Sequence, residues 1–238
     1  GVMYGAVDFY KAAKAEGIKP IIGCEVYVAP QGRRRTDRIH EYDAESRHLV
    51  LLCENETGYR NLCRLVSSAF LEGFYIKPRI DQELLRQHSE GLIALSACLA
   101  GEIPRLILGS NYEGAKQYAL EMAELFGPDR FYLEIQDHGI PDQREAARGI
   151  LRLHQETGIP LVVTNDAHYL TREDAVMQDT LMCIQMGKTV DDPGRMKFET
   201  QEFYIKSESE MAALFPDYPE AVENTEKIAD MCQVEFQF

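Results

Sequence analysis

The sequence predicts an α/β fold, because short apolar runs rich in β-branched residues alternate with amphipathic helical segments along most of the chain. Several runs are apolar at successive positions, which is typical of parallel strands covered on both faces. Five candidate strands with helices between them fit either an open doubly wound sheet or a (β/α) barrel that lacks a strand or two. No glycine-rich phosphate loop follows a strand, which removes the main reason to expect a Rossmann fold.

The apolar runs predict strands, in chain order, at residues 20–28, 48–53, 91–98, 131–135 and 159–164. Apolar residues at three- and four-residue intervals predict helices at residues 4–15, 57–71, 112–126, 141–157, 173–186 and 218–231. Gly73 and Gly158 are placed to end the second and fourth of these helices, and Pro141 suits the first turn of the fourth.

The composition is that of an ordinary globular protein. The 238 residues are 45% hydrophobic, 9% aromatic and 27% charged, which excludes disorder and a disulfide scaffold. No apolar run approaches the roughly 20 residues of a membrane helix. The chain starts at Gly1 without a leader, so we expect a piece of a longer protein and no signal peptide. Six cysteines without a Cys-x-x-Cys pair favour a reducing, cytoplasmic setting.

The net charge of −14 is unevenly distributed. Residues 161–238 hold six basic and sixteen acidic side chains, so a phosphate backbone is not expected along this third without cations between them. The only basic cluster comprises Arg33, Arg34, Arg35 and Arg38, in a stretch with proline and glycine. It is predicted to be an exposed, solvated loop, with contact to phosphate as the alternative.

The strongest local signal for chemistry is the pentapeptide Thr-Asn-Asp-Ala-His at residues 164–168, which ends an apolar strand. Side chains two apart on an extended chain share a face, so Asp166 and His168 could ligate one cation or two neighbouring ones. The carboxyl ends of strands are also where α/β barrels carry their active sites. The alternative is that Asp166 caps the next helix and His168 makes a local hydrogen bond.

Four other residues lie at strand ends or inside strands. Cys98 ends an apolar strand, where a small buried hydrophobe is commoner than a thiolate ligand. Glu25 interrupts a strand that reads as buried on both faces, and such a carboxylate needs a compensating cation. His48 opens its strand, which is the wrong end for a simple parallel barrel. His138 follows a strand end and is a weaker candidate for substrate contact.

Taken together, these segments resemble the PHP (polymerase and histidinol phosphatase) domain of bacterial DNA polymerase III α subunits, over essentially the whole chain. Three sequence motifs distinguish the replicative family from free-standing PHP phosphatases: Lys-Pro-Arg-Ile, Cys-Ile-Gln-Met-Gly-Lys-Thr and Asp-Pro-Gly-Arg-Met-Lys-Phe. The matching segments are residues 23–28, 73–80, 132–139, 164–168, 183–190 and 192–198. The resemblance implies a distorted seven-stranded (β/α) barrel of the PHP type, truncated at its N-terminal strands.

The resemblance also implies a site for up to three divalent metal ions, zinc or manganese, at one mouth of the barrel. Five of the family's nine ligands map onto this sequence: Glu25, His48, Cys98, Asp166 and His168. The other four would precede Gly1, so the chain is expected to begin one residue after a metal ligand. Asp166 and Glu25 are assigned the catalytic, metal-bridging role.

The implied activity is metal-dependent 3′→5′ exonuclease proofreading within a DNA-directed DNA polymerase, with this fragment alone expected to be inactive. The implied partners are DNA, the sliding clamp and the proofreading subunit, with no membrane. Residues 1–200 are assigned to the PHP domain, and residues 201–238 to its end and the lead into the polymerase palm. The alternatives are a non-catalytic scaffold supporting the polymerase, and a stand-alone PHP phosphatase.

Overall fold

The computed structural model describes residues 1–237, and these form the predicted α/β fold. Seven strands form a sheet in the order β3-β4-β1-β2-β5-β6-β7. The strands are β1 (Gly23–Val28), β2 (Arg47–Cys53), β3 (Phe74–Tyr75), β4 (Lys77–Ile80), β5 (Leu92–Leu95), β6 (Phe131–Ile135) and β7 (Leu161–Val163). Within residues 1–237 the hydrogen-bonded ladder ends at β3 on one side and at β7 on the other.

Ten α-helices and one short 3-10 helix (Arg172–Asp174) accompany the strands within residues 1–237. The α-helices are α1 (Ala6–Ala15), α2 (His40–Asp43), α3 (Glu56–Leu71), α4 (Gln82–Gln87), α5 (Glu102–Leu108), α6 (Tyr112–Phe126), α7 (Pro141–Thr157), α8 (Ala175–Met186), α9 (Glu208–Leu214) and α10 (Pro219–Met231). The six predicted helices are confirmed. Pro141 occupies the first turn of α7, and Gly158 ends that helix in the left-handed conformation. None of the helices within residues 1–237 combines the length and hydrophobicity needed to cross a membrane.

The sheet is mixed: the parallel pairing expected of an α/β fold holds for most strands, and β2 is an exception. β1 pairs in parallel with β4, and β5, β6 and β7 are parallel to one another. β2 runs antiparallel to both of its neighbours, β1 and β5. The first residues of β2 therefore lie at the same edge of the sheet as the last residues of β1, β5, β6 and β7.

The two halves of the sheet are covered differently. β5, β6 and β7 are buried at every position, whereas β1 and β2 alternate between buried and half-buried residues. Glu25 and His48 lie on the half-buried face, so the expectation that β1 is buried on both faces is wrong. The opposite face of β1 and β2 contributes Val26 and Leu51 to the main core, which also includes Leu62 of α3. The carboxylate of Glu25 therefore lies on the half-buried face of β1 and is not enclosed by the main core.

A close backbone contact fixes α3 against the turn before β5. A Cβ atom added at Gly58 would lie 1.7 Å from the carbonyl oxygen of Gly91. Gly58→Ala is therefore expected to destabilise the protein by about 2 kcal/mol, although alanine favours the helix. Urea unfolding monitored by circular dichroism measures this change. Gly5→Ala, where nothing lies within 4 Å of the added atom, should change the free energy of unfolding by less than about 1 kcal/mol, and equal effects would contradict the packing explanation.

Candidate metal centre

Three potential ligands converge at one edge of the sheet. Glu25, His48 and Cys98 each offer a ligand atom, and these atoms all lie within 4.8 Å of one another. His48 Nδ1 is 2.9 Å from Glu25 Oε1 and 3.6 Å from Cys98 Sγ. The imidazole therefore stands between a carboxylate and a thiol, in a group of the mixed oxygen, nitrogen and sulfur type that binds transition metals.

The reversed direction of β2 explains how His48 reaches this edge. Tyr27 is the cross-strand partner of His48, so Glu25, two residues earlier in β1, presents its side chain on the same face. Cys98 follows β5, the other neighbour of β2. The backbone N–H of His48 donates to the carbonyl of Ala100 at 3.0 Å, which ties the start of β2 to the turn carrying Cys98. His48 is thus at the correct edge, contrary to the expectation from a parallel sheet.

The donor set fits a divalent cation. In a tetrahedral zinc site a thiolate sulfur and an imidazole nitrogen are about 3.5 Å apart, close to the 3.6 Å between Cys98 and His48. Burial raises the pKa of Cys98 to about 12, so without a cation the thiol keeps its proton. Burial also acts to raise the pKa of Glu25, but the hydrogen bond and charge of His48, together with the charges of the N-terminal amine and His168, outweigh burial, so the pKa lies below its ordinary value. A cation binding here would replace the thiol proton.

Asp166 and His168 follow β7, which β6 separates from β5, and they lie outside the three-residue group. Asp166 follows β7 with a φ of 43°, in the left-handed region. Burial raises its pKa, and the negative charge of Glu25 raises it further. His168 Nδ1 is 2.6 Å from the backbone oxygen of Asp166, to which it donates, and this tautomer leaves Nε2 free as a ligand. Within residues 1–237, the five predicted ligands therefore form one group of three, which is Glu25, His48 and Cys98, and a separate pair, which is Asp166 and His168.

Comparison with known proteins decides the family. Residues 1–138, more than half of the chain, match the model of the PHP domain. The chain belongs to the PHP domain family. The chain is 51% identical over 234 residues to DNA polymerase III subunit alpha of Treponema pallidum (strain Nichols), a match that covers 98% of the chain and 20% of the relative.

The chain is also similar to DNA polymerase III α subunits of other bacteria. The chain is 50% identical over 234 residues to DNA polymerase III subunit alpha of Borreliella burgdorferi, covering 98% of the chain and 20% of the relative. It is 47% identical over 238 residues to DNA polymerase III subunit alpha of Thermus aquaticus, covering 99% of the chain and 19% of the relative. The chain thus spans about one fifth of the length of these curated relatives.

His138 of the PHP domain is a structural residue and not a substrate contact. It has no exposed surface, and its ring stacks on Phe203 with 3.9 Å between ring centroids. Its Nε2 is 2.8 Å from the backbone oxygen of Asn165, and its Nδ1 is 2.7 Å from Nε2 of Gln143. Both ring nitrogens are used, and burial lowers the pKa, so the imidazole is held neutral. Its contact with Asn165 instead supports the backbone just before Asp166.

Glu134 is a buried carboxyl that sequence reasoning overlooked. It lies within the apolar run Phe-Tyr-Leu-Glu-Ile of β6 and is 4% exposed. A carboxylate interrupting an apolar strand was the signal that singled out Glu25, and the same signal applied here. Burial raises the pKa of Glu134 to about 7, despite hydrogen bonds from Thr164 and Gln136 that act to lower it.

This raised pKa predicts a pH dependence of stability in the metal-free protein. Between the ordinary value of 4.5 and about 7, the folded state binds more protons at Glu134 than the unfolded state. The stabilising contribution of Glu134 to the free energy of unfolding is therefore fully present below pH 4.5 and is lost as the pH rises through 7. Relative to Glu134→Gln, the wild-type free energy of unfolding should fall on the order of 3 kcal/mol across this window in urea titrations. A difference independent of pH would contradict the assignment.

Proposed function

We propose that this chain is the PHP domain of a replicative DNA-directed DNA polymerase, and that it carries a metal-dependent 3′→5′ exonuclease site. The observation that carries the proposal is the convergence of Glu25, His48 and Cys98 in a chain about half identical to DNA polymerase III α subunits. The cations proposed are zinc or manganese, since a donor set of carboxylate, imidazole and thiol suits both softer and harder divalent metals.

In this proposal Glu25, His48 and Cys98 hold one cation, and Asp166 and His168 extend the site towards further ions. Bound divalent cations lower the pKa of water and neutralise phosphate charge, which is the chemistry that phosphodiester hydrolysis needs. Glu25 and Asp166 supply the negative charge that retains the ions. His168 is oriented by its Nδ1–H bond to the backbone of Asp166, which leaves Nε2 as the ring nitrogen that would ligate a cation.

The surface of the domain limits how DNA would approach. The net charge is −14, and the guanidinium groups of Arg33 and Arg35 are paired with Asp43, Asp81 and Glu72. A broad phosphate-binding surface is therefore not available on this cluster. The proposal assigns duplex binding, and contact with the sliding clamp and proofreading subunit, to the remainder of the polymerase. Only a DNA 3′ end would reach this site, through bound cations.

The test is a nuclease assay on the natural full-length protein with single-stranded DNA and a 3′-mismatched primer, in zinc or manganese. Asp166→Asn should slow shortening from the 3′ end by at least about tenfold and reduce the bound metal measured by mass spectrometry. Asp217→Asn, at an exposed position, serves as the matched control. Unchanged nuclease activity and metal content in Asp166→Asn would overturn the catalytic proposal in favour of a scaffold role.

A further inference from the structure

Glu134 lies in β6, between the two strands whose ends carry Cys98 and Asp166. β6 lies between β5, which leads to Cys98, and β7, which leads to Asp166. Within residues 1–237, no lysine, arginine or histidine lies within 4 Å of the Glu134 carboxyl oxygens as an ion-pair partner. A buried carboxyl without a cation must be satisfied by hydrogen bonds from its neighbours.

The donors that satisfy Glu134 come from both adjoining strand ends. The backbone N–H of Ala97 donates to Oε2 at 2.9 Å. Oε1 accepts from the hydroxyl of Thr164 and from Nε2 of Gln136, the latter at 2.9 Å. The backbone N–H of Glu134 itself donates to the Ser96 hydroxyl at 2.8 Å. One side chain therefore cross-links the turn after β5 to the turn after β7.

Both cross-linked turns contain a residue with an unfavourable backbone conformation. Ala97, next to Cys98, has a φ of 65°, and Asp166 has a φ of 43°. A left-handed residue other than glycine costs about 1–2 kcal/mol, so it persists only where neighbouring contacts hold it. The bond from Ala97 to Glu134 holds the first turn directly. The Thr164 hydroxyl holds the second turn two residues before Asp166.

We infer that Glu134 is a positioning residue, which orients Cys98 and Asp166 towards the cations of the proposed site without itself ligating one. This inference rests on the proposed metal site. The three donors engage both carboxyl oxygens of Glu134, and two of them, Ala97 and Thr164, belong to the two turns. Removing the carboxylate releases the Ala97 N–H and the Thr164 hydroxyl together, so Cys98 and Asp166 lose their fixed geometry while all proposed ligands remain.

The test uses cobalt(II) as the probe in the natural full-length protein, because a cobalt-thiolate bond gives a near-ultraviolet absorption band. The wild-type band should disappear in Cys98→Ser, which assigns it to this site. Glu134→Gln is expected to lower cobalt affinity about 10- to 100-fold, the range typical of residues that orient metal ligands, and Glu134→Ala more, since glutamine keeps one acceptor oxygen. Thr164→Val removes one donor and should lower affinity by about tenfold.

The control is Glu54→Gln, which removes a carboxylate from the opposite edge of the same sheet, where Glu54 pairs with Arg130 at 2.7 Å. It should lower the melting temperature but leave the cobalt band and affinity unchanged. Wild-type band and affinity in both Glu134→Gln and Thr164→Val would overturn the inference, even if Glu134→Ala fails to fold. Absence of a Cys98-dependent band in the wild type would instead overturn the metal site, and the inference with it.

Discussion

His48→Ala is expected to lower the affinity for zinc about 100- to 1,000-fold. The imidazole stands between the other two donors, with Nδ1 at 2.9 Å from Glu25 and 3.6 Å from Cys98. Structural sites bind zinc with an apparent free energy of about 10–16 kcal/mol. Divided equally over four ligands, this binding free energy is about 3 kcal/mol for each ligand. Competition with a chromophoric zinc chelator measures the change directly.

His40→Ala is the matched control, because His40 is exposed at the start of α2 and outside the ligand group. Its zinc affinity should equal that of the wild type. Comparable losses in the two variants would mean that zinc binds unspecifically to histidine. An unchanged affinity in His48→Ala, with the folded state intact, would place the cation elsewhere.

Arg79→Met is expected to destabilise the folded protein by about 3–5 kcal/mol. Arg79 has no exposed surface, and its guanidinium donates to four backbone carbonyls. The acceptors are Asp43 at 3.2 Å, Arg35 at 3.0 Å, Asp37 at 2.7 Å and Gly73 at 3.4 Å. Methionine fills much of the space but leaves these buried carbonyls without donors, and each such loss is unfavourable.

Urea unfolding of the purified protein measures this effect, and Lys77→Met in the same strand, at an exposed position, is the control. The control should change the free energy of unfolding by less than about 0.5 kcal/mol. Three of the four carbonyls belong to the segment between β1 and β2, which carry Glu25 and His48. Arg79→Met should therefore also weaken zinc binding, by less than His48→Ala. Equal stability of the two methionine variants would contradict the assigned role of Arg79.

The arginine-rich loop shows why some features could not be predicted from the sequence. Arg33 is bonded through two nitrogens to the buried Asp43, and Arg35 bridges Asp81 and Glu72. The prediction of a solvated loop is therefore wrong for these two guanidiniums. Their partners lie up to 46 residues away, so no local pattern of charge could identify them. The same applies to Arg79, whose Lys-Pro-Arg-Ile segment reads as polar although β4 is paired with β1.

The secondary structure was predictable where hydrophobic patterns are long. The five apolar runs coincide with β1, β2, β5, β6 and β7, and the six periodic segments coincide with helices. β3, β4 and the short helices were missed, since two to seven residues carry too little periodicity. The direction of β2 was also beyond local reasoning, because it depends on pairing with both neighbours.

The candidate site could be predicted in part for the same reasons. Asp166 was indicated by its place at a strand end, where α/β barrels concentrate functional groups. Cys98 also ends a strand, but its assignment as a ligand rested on family resemblance. The place of His48 in the site depends on the antiparallel direction of β2, which the sequence does not indicate, so its assignment rested on family resemblance. Glu134 carried the signal of an acidic residue in an apolar strand, but its role depends on Ala97 and Thr164, 37 and 30 residues away.

The most direct test of the metal centre is a crystal structure of the protein grown with zinc, with anomalous data collected on both sides of the zinc absorption edge. The account predicts an anomalous peak within bonding distance of Glu25, His48 and Cys98, about 2.0–2.3 Å from their ligand atoms. The peak should vanish in His48→Ala crystals. A fully ordered triad with no peak, while zinc occupies other surface histidines, would contradict it.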